Sequence, residues 1–388
     1  MHKDTLLGRA GRDPDAAGPV NSPVTRASTI LFENVAAFDA GRRTRHERDR
    51  VFYGTYGTQI TFALAAAMAA LEGGERAIIV SSGLAALVAT LQTFLGSGDH
   101  VLVPDSVYGP VRIACDGVLR GLGIETTYYD PRAGAGIEGQ LRPNTRLIYL
   151  ESPGSITFEM QDVPAIVAVA KQHGIPTAID NTWATGYFFN ALSLGVDVSI
   201  NAITKYVGGH SDVVLGAIVS NEPHFLRLSK TAAALGYSAA PDDCWLALRG
   251  LRTLGVRLRA HETRTQAVAA YFAERAEIDE VLYPALPGRA DYAIWKRDFT
   301  GASGLFSFVF KREISEERAI AFLERLRLFS IGASWGGFES LALLHRPAEM
   351  RTLPKPDWRA RGSLVRLHIG LEDPADLLDD LRASLDRL

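Results

Sequence analysis

The chain of 388 residues is long enough for two domains with a substantial core, and its 47% hydrophobic content is that of an ordinary globular protein. A formal net charge of −3 and a pI near 6.3 leave no cationic surplus for nucleic acid or an anionic membrane surface. Two cysteines far apart in sequence, Cys115 and Cys244, and nine histidines without ligand-like spacing argue against a disulfide framework, a redox pair or a metal site, and fit a reducing, cytoplasmic setting.

The N-terminal MHKDTLLGRAGRDPD is polar and lacks the apolar core of a secretion signal. Residues 1–57, with Gly18 and Pro23 and no sustained period, read as an arm rather than a domain. Within it GRRTRHERDR (41–50) has five arginines but no interleaved aromatics, which suits a solvated or interface loop better than a nucleic-acid patch. From residue 58 the pattern becomes regular. Phe62 to Leu71 has a helical period and stops at Gly73-Gly74. Ala77 to Gly98 is uncharged and long enough to cross a bilayer, but Ser81, Ser82, Gly83, Gln92 and Gly96 punctuate it. It reads as a strand (Ala77–Val80), a loop and a buried helix (Leu84–Leu95).

Further apolar runs predict strands at His100–Pro104, Thr126–Tyr129, Arg146–Leu150, Thr177–Ile179, Val198–Ile203 and Val213–Val219, with a crossover helix from Val163 to Lys171. Strands alternating with helices imply a mostly parallel seven-stranded sheet covered on both faces, with ligands bound at the carboxyl ends of the strands. Asp242 is expected to cap one long helix running from Cys244 to beyond Arg259. After about residue 252 the pattern changes: strands at Leu305–Phe310 and Leu364–Ile369, a helix at Glu316–Leu328 and a last amphipathic helix at Pro374–Leu385. The expected organisation is an arm (1–57), a large α/β domain (58–251) and a smaller C-terminal α+β domain (252–388).

The chemistry concentrates in DVSINAITKYVGGHS, residues 197–211. An apolar strand ends here at Lys205, and desolvation beside a core lowers an amine's pKa and makes it the nucleophile that Schiff-base chemistry requires. Asp180, in IPTAIDNTWAT, stands at another strand end, where a carboxylate serves equally to cap the next turn. Ser82-Gly83-Leu84 sits where a strand passes into a helix and presents free N–H groups to an anion, as many such turns do.

The stretch around Lys205 resembles the lysine signature of the Cys/Met-metabolism, or trans-sulfuration, family of pyridoxal phosphate enzymes, and the similarity extends over nearly the whole chain. The resemblance implies a fold of the pyridoxal phosphate-dependent transferase-like (aspartate aminotransferase, fold type I) class. It implies that Lys205 carries the cofactor and that Asp180 faces its ring nitrogen. Ser82, Gly83, Leu84 and Thr204 would bind its phosphate, and Tyr108 in DSVYGP would stack on its ring. It further implies that Arg366, with Ser334 and Trp335 of SWGGFES, meets the substrate carboxylate. Tyr53 would reach into a neighbouring subunit, so that Tyr53 or Tyr108 assists proton transfers. Shared sites require at least a dimer, and the family suggests a homotetramer made as a dimer of dimers.

Thr55 departs from the family pattern, which has an arginine there, and Ala202 stands where relatives often carry Ser. Ser155, Trp335, Pro110 and His368 are similar to the carbon–sulfur β-lyase branch, acting on L-cystathionine or a related thioether amino acid. γ-Elimination or γ-replacement on the same fold is the alternative. A non-catalytic pyridoxal phosphate-binding regulator is the reading from a different class.

Overall fold

Runs of β-branched and aliphatic residues build the larger sheet from seven strands: β1 (Arg76–Val80), β2 (His100–Pro104), β3 (Glu125–Tyr129), β4 (Thr145–Glu151), β5 (Thr177–Asp180), β6 (Val198–Asn201) and β7 (Gly216–Ser220). The computed structural model describes residues 1–12, 17–354 and 356–388. The strands lie in the order β1-β7-β6-β5-β4-β2-β3. β7 runs antiparallel to both of its neighbours and every other pairing is parallel. Successive residues alternate between two cores. Leu102, Ile148 and Ile179 face one, while Val101, Leu147 and Ala178 face the other. Burial on both faces is why these strands read as continuous apolar runs.

The uncharged stretch 77–98 divides into β1, a short loop and the helix Gly83–Phe94, which packs between β7 and the helix Glu222–Ala234. Among the described residues no helix is long and apolar enough to cross a membrane.

A second, smaller sheet consists of β8 (Ile278–Leu282), β9 (Leu305–Phe310), β10 (Leu341–His345) and β11 (Leu364–His368), in the order β10-β11-β9-β8 and antiparallel throughout. Phe306, Phe308 and Phe310 are fully buried, and Phe308 stacks on Phe272 at 4.2 Å between centroids. β8 and β10 escaped the sequence reading because charged and short apolar residues interrupt their alternation. The helix expected at Glu316–Leu328 ends at Arg325, where Leu326 turns to extended backbone.

The single helix expected from Cys244 is in fact two, Pro241–Leu251 and Leu254–Ala273. Asp242 does not cap the first. Ala240 occupies the N-cap position with no side-chain cap, and the Asp242 carboxylate pairs with Arg26 at 2.5 Å. At the break, Arg257 donates to the Gly250 carbonyl (2.7 Å) and to the Thr253 hydroxyl (3.1 Å). The same guanidinium reaches the carbonyls of Tyr206 (2.7 Å) and Val207 (3.4 Å), so the break lies against the loop that carries Lys205. Gly250 is needed there, since a Cβ would lie 2.3 Å from the Gly208 carbonyl oxygen.

Of the expected arm, residues 13–16 lie outside the described residues. The helix Lys3–Arg9 is docked on the body of the same chain. Lys3 donates to the carbonyls of Gly186 (2.9 Å) and Tyr187 (2.6 Å), Asp4 pairs with Arg259 (2.9 Å), and Leu7 is buried. The later helix Val35–Thr44 buries none of its residues, and Leu31 beside it is 91% exposed.

Candidate active site

The carboxyl ends of the parallel strands open into a cavity of about 230 Å³, lined by Ser82, Gly83, Leu84, Tyr108, Glu151, Ser155, Asp180, Thr204, Lys205, Trp335 and Arg366 among others. β4 and β5 are in register at Glu151 and Asp180, so two carboxylates end at the same level. Asp180 accepts from the Thr182 N–H (2.9 Å) and hydroxyl (2.5 Å). The Thr182 oxygen in turn accepts from the Ala202 N–H at 2.9 Å, which ties this strand end to the Lys205 loop. Burial raises the Asp180 carboxyl above its usual range, against the opposing hydrogen bonds from Thr182 and the Lys205 charge.

β6 stops at Asn201, earlier than expected, and Lys205 lies in the tight turns beyond it rather than on the strand. Its N–H donates to the Ala202 carbonyl at 3.0 Å, and the Gly208 N–H to Ile203 at 2.8 Å. Fully buried Ile203, Tyr206 and Val207 anchor this turn in the core and leave the lysine side chain in the cavity. Its Nζ donates to the Ser334 hydroxyl (2.5 Å) and lies 5.2 Å from the centroid of the Trp335 ring. Burial, with the charge of Arg366, pulls the amine down to about 8.

The loop bearing Ser334 and Trp335 packs on the lysine backbone. Gly336 has φ +91°, and a Cβ there would lie 2.9 Å from Lys205 Cα. The Gly336 N–H donates to His368 Nε2 at 3.1 Å. Burial pulls His368 down to about 4, so at neutral pH the ring is uncharged, and its Nε2 lies 3.1 Å from the Gly337 carbonyl as well. Two residues earlier on β11, Arg366 reaches the Ser334 carbonyl at 3.5 Å, and burial pulls it down to about 10. Among the described residues no carboxylate lies within ion-pair distance of Lys205 or Arg366. Asp180 and Glu151 share the cavity, and the Asp180 charge acts on Lys205, but among the described residues no carboxylate acts on Arg366, which therefore favours an anionic ligand.

Ser82 caps the helix Gly83–Phe94, its oxygen accepting from the Ala85 N–H at 3.0 Å. The N–H groups of Gly83 and Leu84 stand at a helix start, where no intrahelical carbonyl precedes them. A side chain at Gly83 would meet the Ala202 Cβ at 2.6 Å. The hydroxyl of Thr204, expected to face the same anion, is instead engaged with Leu215, donating to its carbonyl (3.1 Å) and accepting from its N–H (3.0 Å). Tyr108, 39% exposed, forms part of the cavity wall. Tyr53 is not among the lining residues of this chain's own cavity and is 45% exposed, with Thr55 in the short turn that follows it.

The sequence reading passed over Glu151. It is buried, accepts from the Tyr108 N–H at 2.8 Å, and is pushed well above the ordinary carboxylate range by burial and by the neighbouring Asp180. Its signal was present: an acid directly after an apolar strand, the same pattern that marked Asp180. Cys115 is buried, which pushes its thiol up to about 12, and is thus not a nucleophile of this site.

These groups suit pyridoxal phosphate: an amine of lowered pKa, a carboxylate at a strand end, a helix whose first residue is glycine, and an aromatic in the wall. The family model described as Cys/Met metabolism PLP-dependent enzyme matches residues 4–386. The chain is 44% identical over 390 residues to the cystathionine beta-lyase MetC of Escherichia coli, covering 99% of this chain and 98% of the relative. It is 45% identical over 394 residues to the cystathionine beta-lyase of Bordetella avium, covering 100% and 98%. A solved structure of cystathionine gamma-lyase from Lactobacillus plantarum, complexed with L-serine, superposes with a TM-score of 0.89 at 30% identity, covering 100% and 99% of the two chains. Fold, cavity and sequence similarity together establish that this chain belongs to the Cys/Met metabolism family of pyridoxal phosphate-dependent enzymes.

Proposed function

We propose that this chain is a carbon–sulfur β-lyase that cleaves L-cystathionine to L-homocysteine, pyruvate and ammonia. The observation that carries the reading is the pairing of a lysine amine of lowered pKa with an uncompensated arginine in one cavity. The likeness to two cystathionine beta-lyases over nearly full length supports the choice of substrate.

Bound pyridoxal phosphate supplies an electron-accepting ring that stabilises negative charge at the substrate Cα. Lys205 would hold the cofactor through its aldehyde carbon, and its amine, when free, would take the Cα proton. Asp180 keeps a proton on the ring nitrogen, an ionic role that favours its charged form against burial. Ser82, Gly83 and Leu84 bind the phosphate, with Thr204 close by. Tyr108, in the cavity wall, would stack on the cofactor ring. Arg366 binds the α-carboxylate as a fork, and Ser334 and Trp335 border the same group. Tyr53 from a second copy, or Tyr108, carries a proton to the departing sulfur.

Tyr53 can serve only if two copies share their sites, so we assign at least a dimer, and a homotetramer built from two such dimers. The exposed helix Val35–Thr44 and Leu31 suit burial against another copy. We set the domain limits at 1–57, 58–251 and 252–388, the last falling at the break between the two helices. A cytoplasmic location accords with two buried, unpaired cysteines.

The test is chemical. Purified, cofactor-loaded protein incubated with L-cystathionine is expected to release pyruvate and homocysteine. Release of 2-oxobutyrate instead would replace this reading with γ-cleavage.

A further inference from the structure

One wall of the cavity is the segment Gly154–Glu159, of which Gly154, Ser155, Ile156 and Phe158 line the space. Its backbone is strained. Ile156 has φ +68° and Phe158 φ +55°, and a β-branched residue in the left-handed region is a steric outlier. The Thr157 N–H donates to the Ser155 carbonyl at 2.8 Å, closing a three-residue turn about Ile156 of the rare, positive-φ kind. Such geometry persists only where surrounding contacts over-determine it.

Those contacts come from the smaller sheet and from the loop that joins β10 to β11. On β9, the Ser307 hydroxyl donates to the Ile156 carbonyl at 2.7 Å. Arg351 donates to both carboxylate oxygens of Glu159, at 2.8 and 3.0 Å, and to the Thr157 hydroxyl. The Arg351 and Glu159 side chains are 8% and 4% exposed. A charge pair this deep is costly to desolvate, so it stabilises little on balance but penalises any arrangement that separates it. The next residues are held as firmly. Asp105 accepts from the Thr352 N–H (3.0 Å), the Thr352 hydroxyl (2.6 Å) and the Leu353 N–H (3.2 Å), and its neighbour Ser106 offers its carbonyl to the Ser155 N–H at 2.8 Å.

We propose that Ser307 and Arg351, neither of which lines the cavity, are positioning residues for substrate. From the C-terminal half of the chain they hold Ser155, Ile156 and Phe158 in the strained shape that the substrate side chain meets. The wall exists only while the two halves are apposed, so substrate fit depends on residues that never touch the substrate. The inference rests on the β-lyase reading for its substrate, but the strap itself is a property of the fold.

The experiment uses cofactor-loaded enzyme and two variants. Ser307→Ala removes one hydroxyl. The double variant E159Q/R351M removes both charges together, which avoids leaving one buried and unpaired. Each is expected to raise KM for L-cystathionine about tenfold with kcat changed less than about twofold. Amide exchange at Thr157 and Phe158 is expected to quicken about tenfold or more while β4 and β5 keep their protection. The cofactor's visible absorbance stays as in the parent. Unchanged exchange in the segment, or faster exchange with an unaltered KM, overturns the proposal. So does a fall in Tm with normal kinetics, which marks a purely structural role. If the parent enzyme releases no pyruvate from L-cystathionine, the β-lyase reading fails, and the exchange comparison alone decides the strap.

Discussion

Arg366→Leu separates substrate binding from stability in one substitution. A guanidinium fork on a carboxylate makes two charge-assisted hydrogen bonds of about 1.5–3 kcal/mol each, so their loss is worth at least about 3 kcal/mol, or some hundredfold in kcat/KM. Because the fork grips the carboxylate in ground and transition states alike, most of that loss should appear in KM. The fold should not suffer. Among the described residues Arg366 has no carboxylate partner, and its own pKa is pulled down by burial, so removing it strands no charge and relieves a desolvated one. Tm is expected to hold or rise. Lys205 should respond as well. Its amine is pulled to about 8 first by burial and next by the charge of Arg366, so the substitution moves its pKa upward. With a pKa of about 8, about one amine in ten is neutral at pH 7, and the variant has fewer. The assay combines steady-state kinetics on L-cystathionine, thermal unfolding, and the pH dependence of cofactor uptake by the stripped protein. A kcat/KM within threefold of the parent, or a pH midpoint that does not move up, refutes the reasoning.

Lys205→Ala should abolish turnover and the bound cofactor's visible absorbance; activity near the parental level would refute its assignment. Gly83→Val should weaken cofactor binding at least about tenfold with unchanged circular dichroism, because its side chain meets the Ala202 Cβ at the helix start that receives the anion; equal cofactor affinity by titration would refute the cradle. Unfolding jointly and refolding Tyr53→Ala with Lys205→Ala should restore activity at about a quarter of sites, as random pairing into dimers with shared sites requires, and no recovery would refute the sharing. His368 and His261 are fully buried and pulled down to about 4 and about 3 by burial, so the unfolded chain binds more protons between those values and 6.5. Their contribution is present in full above pH 6.5 and falls as the pH drops toward 4, on the order of 3 kcal/mol for one such ring. The urea midpoint should decline over that window, and His368→Asn should flatten the decline; a midpoint independent of pH would refute it.

Some of this protein is written in short contiguous stretches. The strands of the larger sheet could be read because burial on both faces makes each an unbroken apolar run, and the crossover helix because its period is local. Lys205, Asp180 and Ser82-Gly83 could be read because each stands where such a run breaks. Other features depend on residues distant in sequence, whose meeting no local pattern records. Glu151 acquires its raised pKa only when β4 lies in register beside β5. The helix after Pro241 breaks where Arg257 binds carbonyls of the Lys205 loop. Thr204 gives its hydroxyl to Leu215 because the turn folds back onto the approach to β7. His368 becomes an acceptor for Gly336, and Arg351 a clamp on Glu159, across 32 and 192 residues of chain. The physical reason is the range of the forces. Backbone preference and amphipathic period act over a few neighbours, whereas desolvation, ion pairing and close packing depend on which surfaces the finished fold brings into contact.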